Sequence, residues 1–584
     1  MLLERINSPE DLKKLSLDEL NALSSEMRET LLQKLSAHGG HIGPNLGTVE
    51  LIIAMHYVFN SPEDKFVFDV SHQSYVHKMI TGRKQAFLDK EYYDEVSGYT
   101  NPNESEHDWF NIGHTSTSIS LASGLAKGRD LKGDDENIVA VIGDGSLSGG
   151  EAYEGLNTVV ETGTNMIVIV NDNDMSIAEN HGGLYKNLRD LRESKGTIPC
   201  NFFKAMGFDY YYVEEGNNVN ALIDVLSKVK DADHPVLVHI HTIKGKGYEP
   251  AETNREMWHA GGPFDREKGE YLYPMGSPES YAGKTAEFLM KAIKEDPTVA
   301  VVNAGTPGGF GFIEPWRKEA GKQYVDVGIA EEQAVAMISG MAKNGAKPVF
   351  CVYSTFAQRT YDQLNQDLCL NNNPAVMLVY LASVYGMNDE SHLGIFDIPM
   401  MSNIPNLVYL APTNIEEHLA MLKWAMDQKE HPVAIRVPAT SLVSSGKEDT
   451  TDYSILNKFE VTKEGKDVAI VALGNFYGLG EAVVNKLSEE GINSTLINPK
   501  FITGLDEELL ESLKKDHKMV ITLEDGILEG GFGQKIASFY GVSDMKVKNY
   551  GIKKSFPDRY VAEELLRENG ISVEQIVNDI KNEI

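Results

Sequence analysis

The sequence predicts an α/β protein of three domains with largely parallel sheets. Two observations carry this. Short apolar runs alternate with longer amphipathic stretches along the whole chain, the pattern of parallel strands covered by helices. The 584 residues also exceed what one hydrophobic core supports. In the first series, 66–70, 138–142, 166–170 and 236–240 read as strands, several followed by Gly-rich or Asp/Asn-rich turns where such sheets bind ligands. Residues 261–280, rich in Gly, Pro and charge and without a period, read as a linker. A second series follows, with strands at 299–303, 348–353, 376–381 and 433–437 and a helix over 331–343. After a further break at 444–453, the runs 468–473, 494–498 and 520–523 form the third. The boundaries expected are 1–270, 271–445 and 446–584.

Composition narrows the function. The 54 Lys plus Arg against 86 Asp plus Glu give a net charge of −32, which repels phosphate backbones and anionic headgroups. Nucleic acid and membrane are therefore not expected as partners. Met1-Leu2-Leu3-Glu4-Arg5 opens no apolar signal core, and no run approaches spanning length, so a cytoplasmic location is expected. Cys200, Cys351 and Cys369 lack CxxC spacing, which supports neither a disulfide framework nor a zinc site.

The sharpest local signal joins two turns. The run 138–142 ends in Gly143-Asp144-Gly145-Ser146, and the next predicted strand ends in Asn171-Asp172-Asn173. The 29 positions from Asp144 to Asn173 accommodate a turn, a helix over 151–161 and a strand, and a right-handed crossover would put both turns on one sheet edge. A carboxylate and an amide carbonyl suit Mg2+ that also takes diphosphate oxygens. The flanking glycines let backbone N–H groups approach the anion, and the helix after Gly149 adds its dipole. Alone, Gly-Asp-Gly is an ordinary strand-end turn; the pair at this spacing is more specific.

Gly-Asp-Gly followed after about thirty residues by a strand-end Asn is also the signature of thiamine-diphosphate enzymes. His41-Ile42-Gly43-Pro44-Asn45-Leu46-Gly47, Asp69-Val70-Ser71-His72-Gln73, Gly113-His114-Thr115-Ser116 and Lys246-Gly247-Tyr248-Glu249-Pro250-Ala251-Glu252 resemble the 1-deoxy-D-xylulose 5-phosphate synthase family of the transketolase superfamily. The likeness runs over nearly the whole chain. It implies thiamine diphosphate and Mg2+ as cofactors, with Asp144, Asn173 and the Met175 carbonyl on the metal. It further implies His72, Gly113, His114, Thr115, Gly145, Ser146, Tyr248, Glu331 and Phe356 around the cofactor.

The resemblance gives Glu331, in Ile329-Ala330-Glu331-Glu332-Gln333, a chemical purpose: a carboxyl bonded to the aminopyrimidine ring lets its imino form act as base. Phe356 resembles the aromatic that stacks on that ring. His41, His72, His259 and His392 are expected to orient carbonyls and exchange protons as catalytic residues, and Tyr353, Arg359 and Arg436 to hold a substrate phosphate. The implied reaction joins pyruvate, a 2-oxo acid donor, to glyceraldehyde 3-phosphate, an aldehyde acceptor, with loss of CO2, in a homodimer.

The chain departs from the family where the acceptor should bind. Leu381 stands in place of an arginine, and Asn388 in place of an aspartate, unless Asp389 substitutes for the latter. These departures keep a second reading open, a divergent enzyme or transketolase with another donor and acceptor. A third is the decarboxylating subunit of a 2-oxo-acid dehydrogenase complex, although no lipoyl-bearing segment is evident. A non-catalytic cofactor sensor would not need Glu331 together with five motif histidines.

Overall fold

The computed structural model describes residues 1–273 and 276–584. It is α/β, and its sheets are mostly parallel. Two compact units emerge, Met1–Met275 with Gly328–Ala330, and Gly276–Val327 with Glu331–Ile584. Among the described residues no helix is long and apolar enough to cross a membrane.

The first unit is organised by strands β1 (Lys65–Phe68), β2 (Ile138–Gly143), β3 (Ile167–Asp172), β4 (Asp209–Val213) and β5 (Val236–His241). They lie in the order β1-β2-β3-β5-β4, all parallel. Apolar side chains pack on both faces, with Val139, Val141 and Ile169 in one cluster and Ala140, Ile142 and Val168 in the other. That double burial is why β2 reads as a continuous apolar run rather than an alternating one. The first predicted strand overshoots: β1 stops at Phe68 because Val70 and Ser71 have φ of 58° and 68°. A β-branched residue there is strained, which marks a segment held by its surroundings.

The second unit carries two sheets. One contains β6 (Val299–Asn303), β7 (Tyr324–Asp326), β8 (Lys347–Tyr353), β9 (Val376–Tyr380), β10 (Val408–Leu410) and β11 (Val433–Arg436), in the order β7-β6-β8-β9-β11-β10. The other contains β12 (Glu460–Lys463), β13 (Asp467–Ala472), β14 (Ser494–Asn498), β15 (His517–Ile527) and β16 (Lys546–Ile552), in the order β12-β14-β13-β15-β16, with only β12 antiparallel. One apolar cluster joins Phe350 and Tyr409 of the former to Val471 and Ile497 of the latter, so the two sheets share a core.

The stretch read as a linker is more ordered than expected. Ala260–Gly261 pairs with Gly40–His41, and Phe264–Asp265 with Glu270–Tyr271. Pro274 and Met275 of that stretch lie outside the described residues.

Candidate active site

In the first unit, β2 and β3 are adjacent and parallel with Gly143 opposite Asn171, so the turns bearing Asp144 and Asn173 leave the same sheet edge. Asp144 is buried and accepts from the Met175 N–H at 3.0 Å and the Asn180 amide at 2.7 Å. Burial, and then the Asp172 carboxylate, push its carboxyl above the usual range. Asn173 Oδ1, Asn180 Oδ1 and Ser176 Oγ are buried with no hydrogen-bond partner. Buried acceptors without donors beside a carboxylate suit a hard cation.

Behind this edge, Asp172 receives Arg192 at 2.7 Å and His239 at 2.8 Å, and His239 in turn meets Tyr210 at 2.8 Å. Although burial alone would raise the Asp172 carboxyl, these bonds hold it below its ordinary value. Gly145 and Ser146 form the turn after β2. A Cβ at Gly149 would lie 2.2 Å from Ser116 Oγ, which itself donates to the Ser146 carbonyl; only glycine fits. Gly113, His114 and Thr115 precede a segment pinned by buried Asp69, which accepts the N–H groups of Ser116 and Ser118 at 2.9 and 3.0 Å.

Three predicted histidines come together. The ring centroids of His41 and His72 lie 5.0 Å apart, His72 and His259 5.4 Å, and His41 and His259 5.9 Å. Asn45 ties two of them, its amide donating to the carbonyls of His41 at 2.8 Å and His72 at 2.7 Å while its oxygen accepts from Tyr75 N, and the His259 carbonyl accepts the Ile42 N–H at 3.1 Å. His259 is driven well below its ordinary pKa by burial, and then by Lys244, His72 and His41, so it is neutral near pH 7.

Sequence reasoning missed the roles of Asn45 and Lys244. Lys244 is buried, donates to the Ser176 carbonyl, and is pushed down to about 7 by burial, with Asp144 opposing. A buried lysine is rare enough to be informative, but no local pattern announces the burial.

The second unit gathers the other predicted groups. Glu331 opens the helix Glu331–Lys343 and is 2% exposed. Burial raises its carboxyl to about 7, against the pull of the Arg359 guanidinium, whose Nη1 stands 3.7 Å from Oε2. Phe356 lies with its ring centroid 5.8 Å from His392 and 6.0 Å from Tyr353. The segment carrying His392 is strapped by the loop after β16. The Tyr560 hydroxyl donates to the carbonyls of Val384 and Met387 at 3.0 and 3.3 Å, and Asp558 accepts the Glu390 N–H at 3.3 Å. Asn388 donates to the Tyr560 carbonyl at 2.9 Å, which an aspartate could not do. Tyr560→Phe removes donor bonds worth about 0.5–1.5 kcal/mol; faster amide exchange over 384–392 at unchanged global stability is the expected result.

Two of the expected residues are engaged with other partners. Tyr248, expected at the cofactor, packs edge-on against Trp258 at 5.2 Å and beside Phe264 at 5.7 Å, and donates to the Arg266 carbonyl. These two rings bury it as part of the apolar core of the first unit. Arg436, expected on a substrate phosphate, is buried between two carboxylates: Nε donates to Asp397 at 2.8 Å and Nη1 to Asp525. With its side chain 1% exposed, it presents no open edge to a phosphate.

Leu381 sits at the end of β9 with φ of 54°, which is why the strand stops at Tyr380. Its carbonyl is hemmed in by Gly386 and Gly394, where a Cβ would come within 2.4 and 1.9 Å.

Comparison with known proteins agrees along the chain. Residues 3–198 and 192–242 match the family profile described as 1-deoxy-D-xylulose-5-phosphate synthase. Residues 280–443 match the transketolase pyrimidine binding domain, and 457–576 the transketolase C-terminal domain. The 1-deoxy-D-xylulose-5-phosphate synthase of Brevibacillus brevis is 38% identical over 100% of this chain and 98% of its own length. That of Alkaliphilus oremlandii is 38% identical over 100% and 99%, and that of Heliobacterium modesticaldum 38% over 96% and 91%.

Proposed function

The chain belongs to the 1-deoxy-D-xylulose-5-phosphate synthase family, and from that premise we propose that it condenses pyruvate with glyceraldehyde 3-phosphate to 1-deoxy-D-xylulose 5-phosphate and CO2. It is a thiamine-diphosphate-dependent transferase. The observation that carries the reading is identity of 38% sustained over the full length of chain and relative alike. Incubation with pyruvate and glyceraldehyde 3-phosphate, followed by mass detection of the ketose phosphate, tests it; turnover of other pairs but not this one would sink it.

Asp144, Asn173 and the Met175 carbonyl are assigned to Mg2+, and Gly113 to Thr115, Gly145 and Ser146 to the diphosphate. Glu331 and Phe356 take the aminopyrimidine. The orphaned Asn173 Oδ1 and the buried Asp144 carboxyl support the metal assignment. When bound, thiamine diphosphate supplies a carbon nucleophile that holds the acyl unit left after CO2 departs. Everything else falls to side chains. Glu331 holds a proton near neutral pH because burial disfavours its anion. His41, His72 and His259 present adjacent imidazoles to a carbonyl oxygen, and neutral His259 is suited to accept a proton. The division at 1–270, 271–445 and 446–584, a homodimer and a cytoplasmic location belong to the same proposal.

Two tests bear on the parts. Chelation abolishes turnover and added Mg2+ restores it, while Asn173→Ala raises the Mg2+ needed by at least about tenfold, equivalent to about 1.4 kcal/mol. Leu381→Arg tightens the apparent KM for a phosphorylated aldehyde by about 10- to 100-fold if position 381 faces the phosphate, the range of one charge-assisted bond. An unchanged KM shows that Leu381 lies away from it.

A further inference from the structure

His392 is buried, 8% exposed, and sits in a turn built around Asp389. Asp389 Oδ1 accepts the Ser391 N–H at 2.9 Å and its hydroxyl at 2.5 Å, and the Asp389 carbonyl accepts the His392 N–H at 2.9 Å. Ser391 Oγ lies 2.8 Å from His392 Nδ1. A carboxylate only accepts, and a serine hydroxyl has one proton to give. That proton is committed to Asp389, so the bond between Oγ and the ring must be donated by Nδ1–H. In a neutral imidazole the other nitrogen then carries the lone pair. Burial favours the neutral ring here, with Asp389 opposing.

We propose that Asp389, acting through Ser391, holds His392 as its Nδ1–H tautomer and thereby makes Nε2 the ring's proton-accepting nitrogen. Asp389 and Ser391 are positioning residues. The inference rests on the reading of His392 as a proton handler in the proposed reaction. The turn is fixed from outside as well, since Glu390 N–H is held by Asp558 and Asn388 by the Tyr560 carbonyl, so the relay cannot relax without breaking the strap. Asn388 and Asp389 thus have separate tasks, one tethering the segment and the other orienting the imidazole.

The test is the nitrogen-15 spectrum of the full-length enzyme labelled at histidine, with the His392 signals assigned by difference against His392→Gln. A protonated Nδ1 and a lone-pair Nε2 are expected in the native enzyme. In Asp389→Ala the hydroxyl loses its acceptor, its proton turns to Nδ1, and the ring moves to the Nε2–H form. Ser391→Ala removes the bias and populates both forms, while Ser391→Thr keeps the native one. Turnover follows: kcat falls about 10- to 100-fold in Asp389→Ala and Ser391→Ala with KM for the 2-oxo acid changed less than about twofold, and Ser391→Thr retains kcat, as expected for a misdirected acid–base group. A native ring protonated at Nε2, or an Asp389→Ala ring that does not change form, overturns the proposal. The spectrum is read without turnover, so a wrong substrate assignment would leave it intact.

Discussion

Glu331→Gln lowers kcat by about 10²- to 10⁴-fold, the range for removal of a general acid–base group, and at the same time makes the cofactor-free enzyme more stable above neutral pH. Both effects have one cause. In the unfolded chain this carboxyl ionises near 4.5, whereas burial shifts it to about 7 in the fold. A carboxyl whose folded pKa is raised contributes stability that is fully present below about 4.5 and is lost as pH rises through about 7. The shift corresponds to on the order of 3 kcal/mol at alkaline pH. Glutamine does not ionise, so the variant's thermal midpoint should match the parent's near pH 4 and exceed it at pH 8. A midpoint difference that does not vary with pH would mean that Glu331 is not held uncharged by burial, and retained turnover would remove it from the chemistry.

Arg436→Met destabilises the second unit by about 3–5 kcal/mol, because removing one member of a buried ion cluster strands the other charges. Arg436 bridges Asp397 and Asp525, and these are held in turn by the Tyr409 hydroxyl at 2.5 Å and the Asn475 amide at 2.7 Å. Neutralising the stranded carboxylates as well, in Arg436→Met with Asp397→Asn and Asp525→Asn, should recover most of the loss. The measurement is denaturant unfolding of all three proteins beside the KM for the phosphorylated acceptor. Unchanged stability with a raised KM would return Arg436 to the phosphate; a fall in stability that the added substitutions reverse establishes it as the tie between β11 and β15.

Both residues stand in recognisable motifs, yet the sequence served them unequally. Glu331 was singled out through the family resemblance, since a glutamate opening an amphipathic helix is by itself an ordinary N-terminal preference. The ion partners of Arg436 were not legible because they lie 39 and 89 positions away in the chain, and nothing near it shows that both would be buried. The strands divide the same way. Those buried on both faces, such as Ile138–Gly143 and Val376–Tyr380, are continuous apolar runs and were found. The edge strands Asp209–Val213 and Lys546–Ile552 carry tyrosines, lysines and an aspartate on half-exposed faces, and their polarity hid them.

The sequence by itself determined the α/β alternation, the two strand-end turns bearing Asp144 and Asn173, and the family, since these depend on neighbours a few positions apart or on order along the chain. Tertiary structure alone decided which charged groups are stranded in low dielectric and which are matched. It put Glu331 and Lys244 near pH 7, set Arg436 between Asp397 and Asp525, brought the rings of His41, His72 and His259 together, and set Asp389 and Ser391 against His392. The physical reason is that desolvation and hydrogen-bond geometry depend on which segments the fold packs together, and composition and spacing record only one partner of each such meeting.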